Sequence, residues 1–189
     1  MKEGDVYDTL RNLVTRLNEA GLDYALIGGM ALVMHGYRRF TEDVDILMTP
    51  ETLETFKEKF VGLGYVPAFA TAKKSFRDAR TGVKVEVMLA GEYPGDGKPK
   101  PVVFSDPKGI RVEREGLWVI TLEKLIELKL ASGLSAAHRL KDLSDVQELI
   151  TLLHLPLDFA DKLDPSVRPE YQRLWQAAQS AYDKNETDS

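Results

Sequence analysis

Asp43 and Asp45, two aspartates one residue apart, stand in the run DVDILM, where acid and aliphatic residues alternate. Alternation predicts a strand. Its side chains point to opposite faces in turn, so the two carboxylates project together while Val44 and Ile46 enter a core. Paired carboxylates repel unless a cation compensates them, and oxygen-only ligands suit Mg²⁺ or Mn²⁺. Earlier in the chain, Gly28-Gly29 follows the apolar run Ala25-Leu26-Ile27 and opens a helix-like segment from Met30 to Gly36. A double glycine lets backbone approach a ligand closely. The helix start behind it offers unpaired N–H groups and a positive dipole end, which suit phosphate. Together the glycine turn and the acid pair predict a nucleotide–metal site.

A third carboxylate is sought on a neighbouring strand. The run Val83 to Leu89 has aliphatic residues at each odd position, so Lys84, Glu86 and Met88 share the other face. Glu86 is the candidate because it is the one acid inside a strongly apolar strand. Asp78 is the runner-up, and the plainer reading is an exposed edge with a Lys–Glu pair. Arg38, Arg39 and Thr41 lie in the loop before Asp43. Arg38 reads either as a contact to a triphosphate or as a solvated turn residue, Arg39 as the latter. His35 reads as structural.

The elements that must position these residues follow from periodicity. Asp5 to Ala20 reads as a packing helix closed by Gly21. Thr49-Pro50-Glu51 starts another, with an apolar face of Leu53, Phe56, Phe60 and Leu63, ended by Gly64. Tyr65-Val66, Ser75 to Ala79, Val102 to Phe104, Ile110 to Val112 and Leu117 to Ile120 read as short strands. GEYPGDGKPK, from Gly91 to Lys100, reads as a mobile loop. From Thr121 the pattern is helical: one helix broken by Gly133, then another from Ser135 to about Leu153 with Leu140, Leu143, Val146, Leu149, Ile150 and Leu153 as its stripe. From Leu157 the chain reads as one or two further helices, one over Pro165 to Tyr182 with Trp175 as a packing anchor.

Gly28-Gly29 followed by Asp43-Val44-Asp45, within GGMALVMHGYRRFTEDVDI, resembles the DNA-polymerase-β-type nucleotidyltransferase superfamily. The fuller string is similar to its small bacterial branch of minimal, toxin-type (AbiEii-like) and lincosamide-type enzymes. The resemblance implies an α/β (α+β) fold, with a nucleotidyltransferase core of mixed sheet and flanking helices over 1–120 and a helical region over 121–189. It implies transfer of a nucleoside monophosphate from an NTP, such as ATP, to an acceptor hydroxyl. Asp43, Asp45 and Glu86 would be catalytic and hold two Mg²⁺ ions, although the family often has Asp where Glu86 stands. Gly28, Gly29, Arg38 and Thr41 would lie on the nucleotide. A segment resembling the family's helical part supplies Lys129, Arg139, Lys141, Asp142 and Asp145. The resemblance puts Lys129 on the triphosphate, with Asp142 or Asp145 orienting it or the acceptor. Without the resemblance, Lys129 is a snorkelling lysine, and Arg139 with Asp142 is an ion pair one helical turn apart.

Composition narrows the acceptor. The 189 residues carry a net charge of −5, which argues against gripping long nucleic acid by bulk charge. Without cysteine there is neither disulfide nor thiolate site, which fits the cytoplasm. No run has transmembrane length, and the first residues do not read as a signal peptide. Three classes of protein stay open: a toxin-type enzyme acting on tRNA, with a cognate antitoxin; an enzyme acting on a small molecule such as an antibiotic; and a non-catalytic, antitoxin-like nucleotide binder.

Overall fold

The computed structural model describes the backbone over residues 3–187 and side chains over residues 4–180. It divides into two units. The sheet unit runs to Glu92 and resumes over Phe104–Thr121, while the helical unit takes Tyr93–Val103 and the chain from Leu122 onward. No described helix is long and apolar enough to cross a membrane.

The sheet unit begins with α1 (Glu3–Glu19), followed by β1 (Ala25–Leu26), α2 (Gly28–Met34) and β2 (Asp43–Met48). Next come α3 (Pro50–Phe60), β3 (Tyr65–Pro67), β4 (Ser75–Asp78) and β5 (Lys84–Leu89), and after the excursion β6 (Arg111–Arg114) and β7 (Leu117–Ile120). The strands form one sheet in the order β3-β4-β5-β2-β1-β7-β6. It is mixed: β2 runs parallel to β5 and β1 to β7, while the other neighbours are antiparallel.

One face of this sheet is the core. Val44, Ile46, Val85 and Val87 alternate inward and are almost fully buried. Such burial contributes about 1.5–3 kcal/mol for each large aliphatic side chain, so the register of β2 and β5 cannot slip by one residue without exposing the whole set. Thr49 caps α3 by accepting the Thr52 N–H at 3.2 Å, and Pro50 fits the first turn because its missing N–H would be unpaired there. The Phe56 ring lies 5.4 Å from those of Phe60 and Tyr65 and 5.2 Å from that of Phe76. The Arg16 guanidinium of α1 covers the Phe60 and Tyr65 rings. Leu63, expected on the apolar face of α3, is instead 65% exposed, because the helix stops at Phe60 and Gly62 turns the chain with φ +83°. Val102 to Phe104 forms no strand.

The helical unit contains α4 (Leu122–Ser135), α5 (Leu140–Leu152) and α6 (Arg168–Thr187). Gly133 does not break α4. A Cβ there would lie 2.5 Å from side-chain atoms of Leu143, so the glycine lets α5 approach closely. Ser135 does not open α5 either: a 3-10 turn over Ala137–Arg139 intervenes, and Leu140, before the stripe begins to bury, is 67% exposed. Residues 93–103 are fastened to the end of α4 rather than loose. The Asp96 N–H donates to Ser135 Oγ at 3.1 Å, Lys100 Nζ to Asp96 Oδ1 at 2.5 Å, and Arg139 Nη2 to the Gly95 carbonyl at 3.4 Å. Trp175 donates its indole N–H to the Leu155 carbonyl at 2.9 Å, the anchoring role its position suggested.

Candidate active site

The geometry begins at the turn between β1 and α2. Ile27 continues the ladder, its N–H donating to the Asp45 carbonyl at 3.0 Å. The chain then turns at Gly28 with φ +61°, a conformation that side chains strain to adopt. A Cβ on Gly28 would fall 2.0 Å from Asp45 Oδ2. Glycine is therefore required twice, for its backbone angle and for the space the Asp45 carboxylate fills. Gly29 is under similar constraint, since a Cβ there would meet Thr41 Oγ1 at 2.7 Å. Thr41 in turn donates to the Asp43 carbonyl at 3.2 Å, fixing the entry to β2. The first backbone bond of α2 is from Ala31 N–H to the Ile27 carbonyl. The N–H groups of Gly28, Gly29 and Met30 consequently have no preceding helical carbonyl to bond.

The acid pair sits on the face opposite the core. In the parallel register of β2 and β5, Asp43 lies beside Lys84 and Asp45 beside Glu86. In-register neighbours share a face, so three carboxylates and one ammonium form a half-buried patch. Lys84 is ion-paired with Glu86. The bond to Glu86 is the chief reason the Lys84 ammonium is held above its usual range, with Asp43 and Asp45 adding attraction against an opposing desolvation. Among the described residues, no three acid or histidine side chains are gathered as a metal would hold them. The donor set nevertheless suits a hard divalent cation. It consists of carboxylate oxygens, and Gly28 leaves Asp45 the room to present its own.

β5 is not an edge: it lies between β2 and β4. Across β4, Ser75 is in register with Glu86 and Arg77 with Lys84. Ser75 is 6% exposed, and its hydroxyl has no partner among the described residues. Arg77 is occupied elsewhere, donating to the Gly82 carbonyl at 2.8 Å. Asp78, the runner-up for third carboxylate, alternates to the other face. It is fully buried and accepts from the Arg80 N–H at 2.9 Å and Nη2 at 3.0 Å. Burial first, and Asp78 second, push the Tyr65 hydroxyl up to about 12. Arg38 is exposed in the loop before β2. His35 is buried, with Nε2 2.8 Å from the Ile120 carbonyl, and so ties the end of α2 to β7.

The remaining predicted residues meet in the helical unit. Lys129 Nζ donates to Asp142 Oδ1 at 3.0 Å and Asp145 Oδ2 at 2.8 Å, and Ser132 Oγ donates to Asp142 Oδ2 at 2.7 Å. Arg139 Nη1 stands 3.8 Å from Asp142 Oδ2. Burial opposes ionisation of Asp142, but Lys129, Ser132 and Arg139 outweigh it and hold its carboxyl below the usual range. Lys129 is 9% exposed, so it is no snorkelling lysine; it is the centre of a closed network.

Ser75 is the residue that sequence reasoning left without a role, whereas the Lys–Glu pair of the plainer reading of β5 is present although the strand is not an edge. Alternation did place Lys84 on the face of Glu86. Nothing local marks Ser75, whose position depends on the pairing of β4 with β5.

No protein-family model matches the sequence, and no curated protein matches it. Solved structures do match. ANT(2")-Ia in complex with adenylyl-2"-tobramycin aligns with TM-score 0.55 at 15% identity, over 92% of this chain and 97% of that one. An antigenic nucleotidyltransferase-like protein from Paracoccidioides brasiliensis aligns with TM-score 0.52 at 16% identity, over 98% and 90%. JHP933 from Helicobacter pylori aligns with TM-score 0.51 at 17% identity, over 98% and 95%. At such identities the likeness concerns architecture, and it agrees with the mixed sheet and its flanking helices: the chain has the nucleotidyltransferase fold.

Proposed function

We propose that the protein transfers a nucleoside monophosphate from an NTP to a hydroxyl of a small-molecule acceptor, with divalent metal assistance. The observation that carries this reading is the register that sets Asp43 and Asp45 beside Glu86, with Gly28 making room for Asp45. Asp43, Asp45 and Glu86 would hold the metal. When bound there, Mg²⁺ or Mn²⁺ would neutralise triphosphate charge and acidify the attacking hydroxyl. The N–H groups that open at Gly28, Gly29 and Met30 would donate to phosphate oxygens, and exposed Arg38 would add a cation. Glu86 would accept the proton of the acceptor hydroxyl as its oxygen forms a bond to the α-phosphorus. The bond from that phosphorus to the bridging oxygen breaks, and pyrophosphate leaves.

A small-molecule acceptor is favoured by two considerations. ANT(2")-Ia, the neighbour with an adenylylated aminoglycoside, shares the architecture. The net charge of −5 disfavours a long polyanion.

The test is turnover with each α-labelled NTP and Mg²⁺, offering pooled aminoglycosides and lincosamides in one set and total tRNA in another. Label should move to a small molecule with the wild type and fall by at least about a hundredfold with Asp43→Asn or Asp45→Asn. Both variants should melt no lower than the wild type, because removing a carboxylate relieves repulsion. Label on tRNA alone would replace the acceptor and keep the chemistry. Full activity in Asp45→Asn would sink the site.

A further inference from the structure

We propose that Lys84 is a tethered counter-ion for the acid face, so that a divalent cation enters by exchange: the ammonium leaves Glu86 as the metal arrives. The proposal rests on the assignment of Asp43, Asp45 and Glu86 as metal ligands. Its own basis is separate and geometric. Lys84 occupies the register position beside Asp43 and is ion-paired with Glu86 two residues further along the same strand face. One ammonium therefore stands among the three carboxylates that a cation would need.

Exchange is physically open to it. The Lys84 side chain is 32% exposed and that of Glu86 31%, and a lysine stem has four flexible carbons by which its charge can swing to water or to an incoming phosphate. Arg77, its neighbour on β4, does not take its place, being bonded to the Gly82 carbonyl. Ser75 supplies a second observation. Its buried hydroxyl stands in register with Glu86, has no partner among the described residues, and is available to a carboxylate whose ammonium has gone.

Such a device does two things. It keeps the acid patch folded when metal is scarce, since uncompensated carboxylates would repel. It also weakens binding of metal alone relative to metal carried by a triphosphate, because the phosphates offer the departing ammonium a new partner.

The experiment measures Mn²⁺ binding to the full chain without nucleotide, from the electron paramagnetic resonance signal of free Mn²⁺, alongside melting curves in chelator and in Mn²⁺. Lys84→Met should bind Mn²⁺ about tenfold more tightly or better, melt lower than wild type in chelator, and recover more on adding Mn²⁺. Lys84→Arg, which keeps the charge, should bind as weakly as wild type. In a Glu86→Gln background the Lys84→Met gain should largely vanish. If Lys84→Met does not fold, Lys84→Gln carries the same comparison. Equal affinity in wild type and Lys84→Met, with Asp45→Asn abolishing binding, overturns the exchange and leaves the ligand assignment standing. A gain that persists undiminished with Glu86→Gln also overturns it, showing background charge instead. No Mn²⁺ binding by any variant overturns both.

Discussion

Gly28 carries the most constrained contact in the candidate site. Its φ of +61° alone costs a side chain about 1–2 kcal/mol, and the Asp45 carboxylate occupies the space a Cβ would need. Gly28→Ala should lower the melting temperature modestly and reduce transfer by about a hundredfold, because an ångström of displacement at a reacting centre has that order of effect. A variant that loses stability while keeping full kcat/KM would show that Asp45 need not sit where it does. The acid pair and the glycine pair were legible because each is a local pattern, read from the two-residue period of a strand and from a break between apolar runs. Asp78 was not legible in the same way. Only the pairing of β4 with β5 shows that it turns to the opposite face and binds Arg80.

At the level of elements, the helices of the second unit show where periodicity runs out. Gly133 looks like a helix breaker from the sequence, yet α4 continues through it to Ser135. The cause is tertiary: Leu143 of α5 lies where a Cβ would be. Gly133→Ala should therefore destabilise the protein by about 1–3 kcal/mol, against the usual gain from replacing glycine inside a helix, as read by urea unfolding. A stabilised variant would mean that α5 yields easily. Lys129 supplies a sharper contrast. As the shared partner of Asp142 and Asp145, with Asp145 4% exposed, it compensates two carboxylates of α5. Lys129→Met should lower the unfolding free energy by about 3–5 kcal/mol, the cost of leaving buried charge uncompensated. If instead stability holds and NTP affinity falls, Lys129 belongs to the nucleotide. The sequence placed the three residues on suitable helical faces. Periodicity could not show that they close on one another, which only the family resemblance suggested, because that depends on how α4 packs against α5.

At the scale of the whole molecule, the same network sets a response to acid. The Asp142 carboxyl is held below its usual range, so the stability it contributes is present above the unfolded value, about 3.9, and is lost as pH falls through the lower folded one. Wild type should thus be more stable than Asp142→Asn at pH 6, and the difference should shrink steadily below pH 4 in thermal melts. A difference that stays constant down to pH 2 would mean that the carboxylate's charge is not what matters.

The pairing of β1 has a bearing on how the chain comes off the ribosome. This two-residue strand has β2 on one side and β7 on the other, with Leu26 beside Val119. Its second neighbour is synthesised long after its first. Until Leu117–Ile120 emerges, β1 is an open edge whose unpaired backbone groups invite wrong partners, and His35 lacks the Ile120 carbonyl that ties α2 in place. The glycine turn follows directly on that strand, so although Gly28 and Gly29 are among the earliest residues made, their turn is among the last parts of the protein to become fixed.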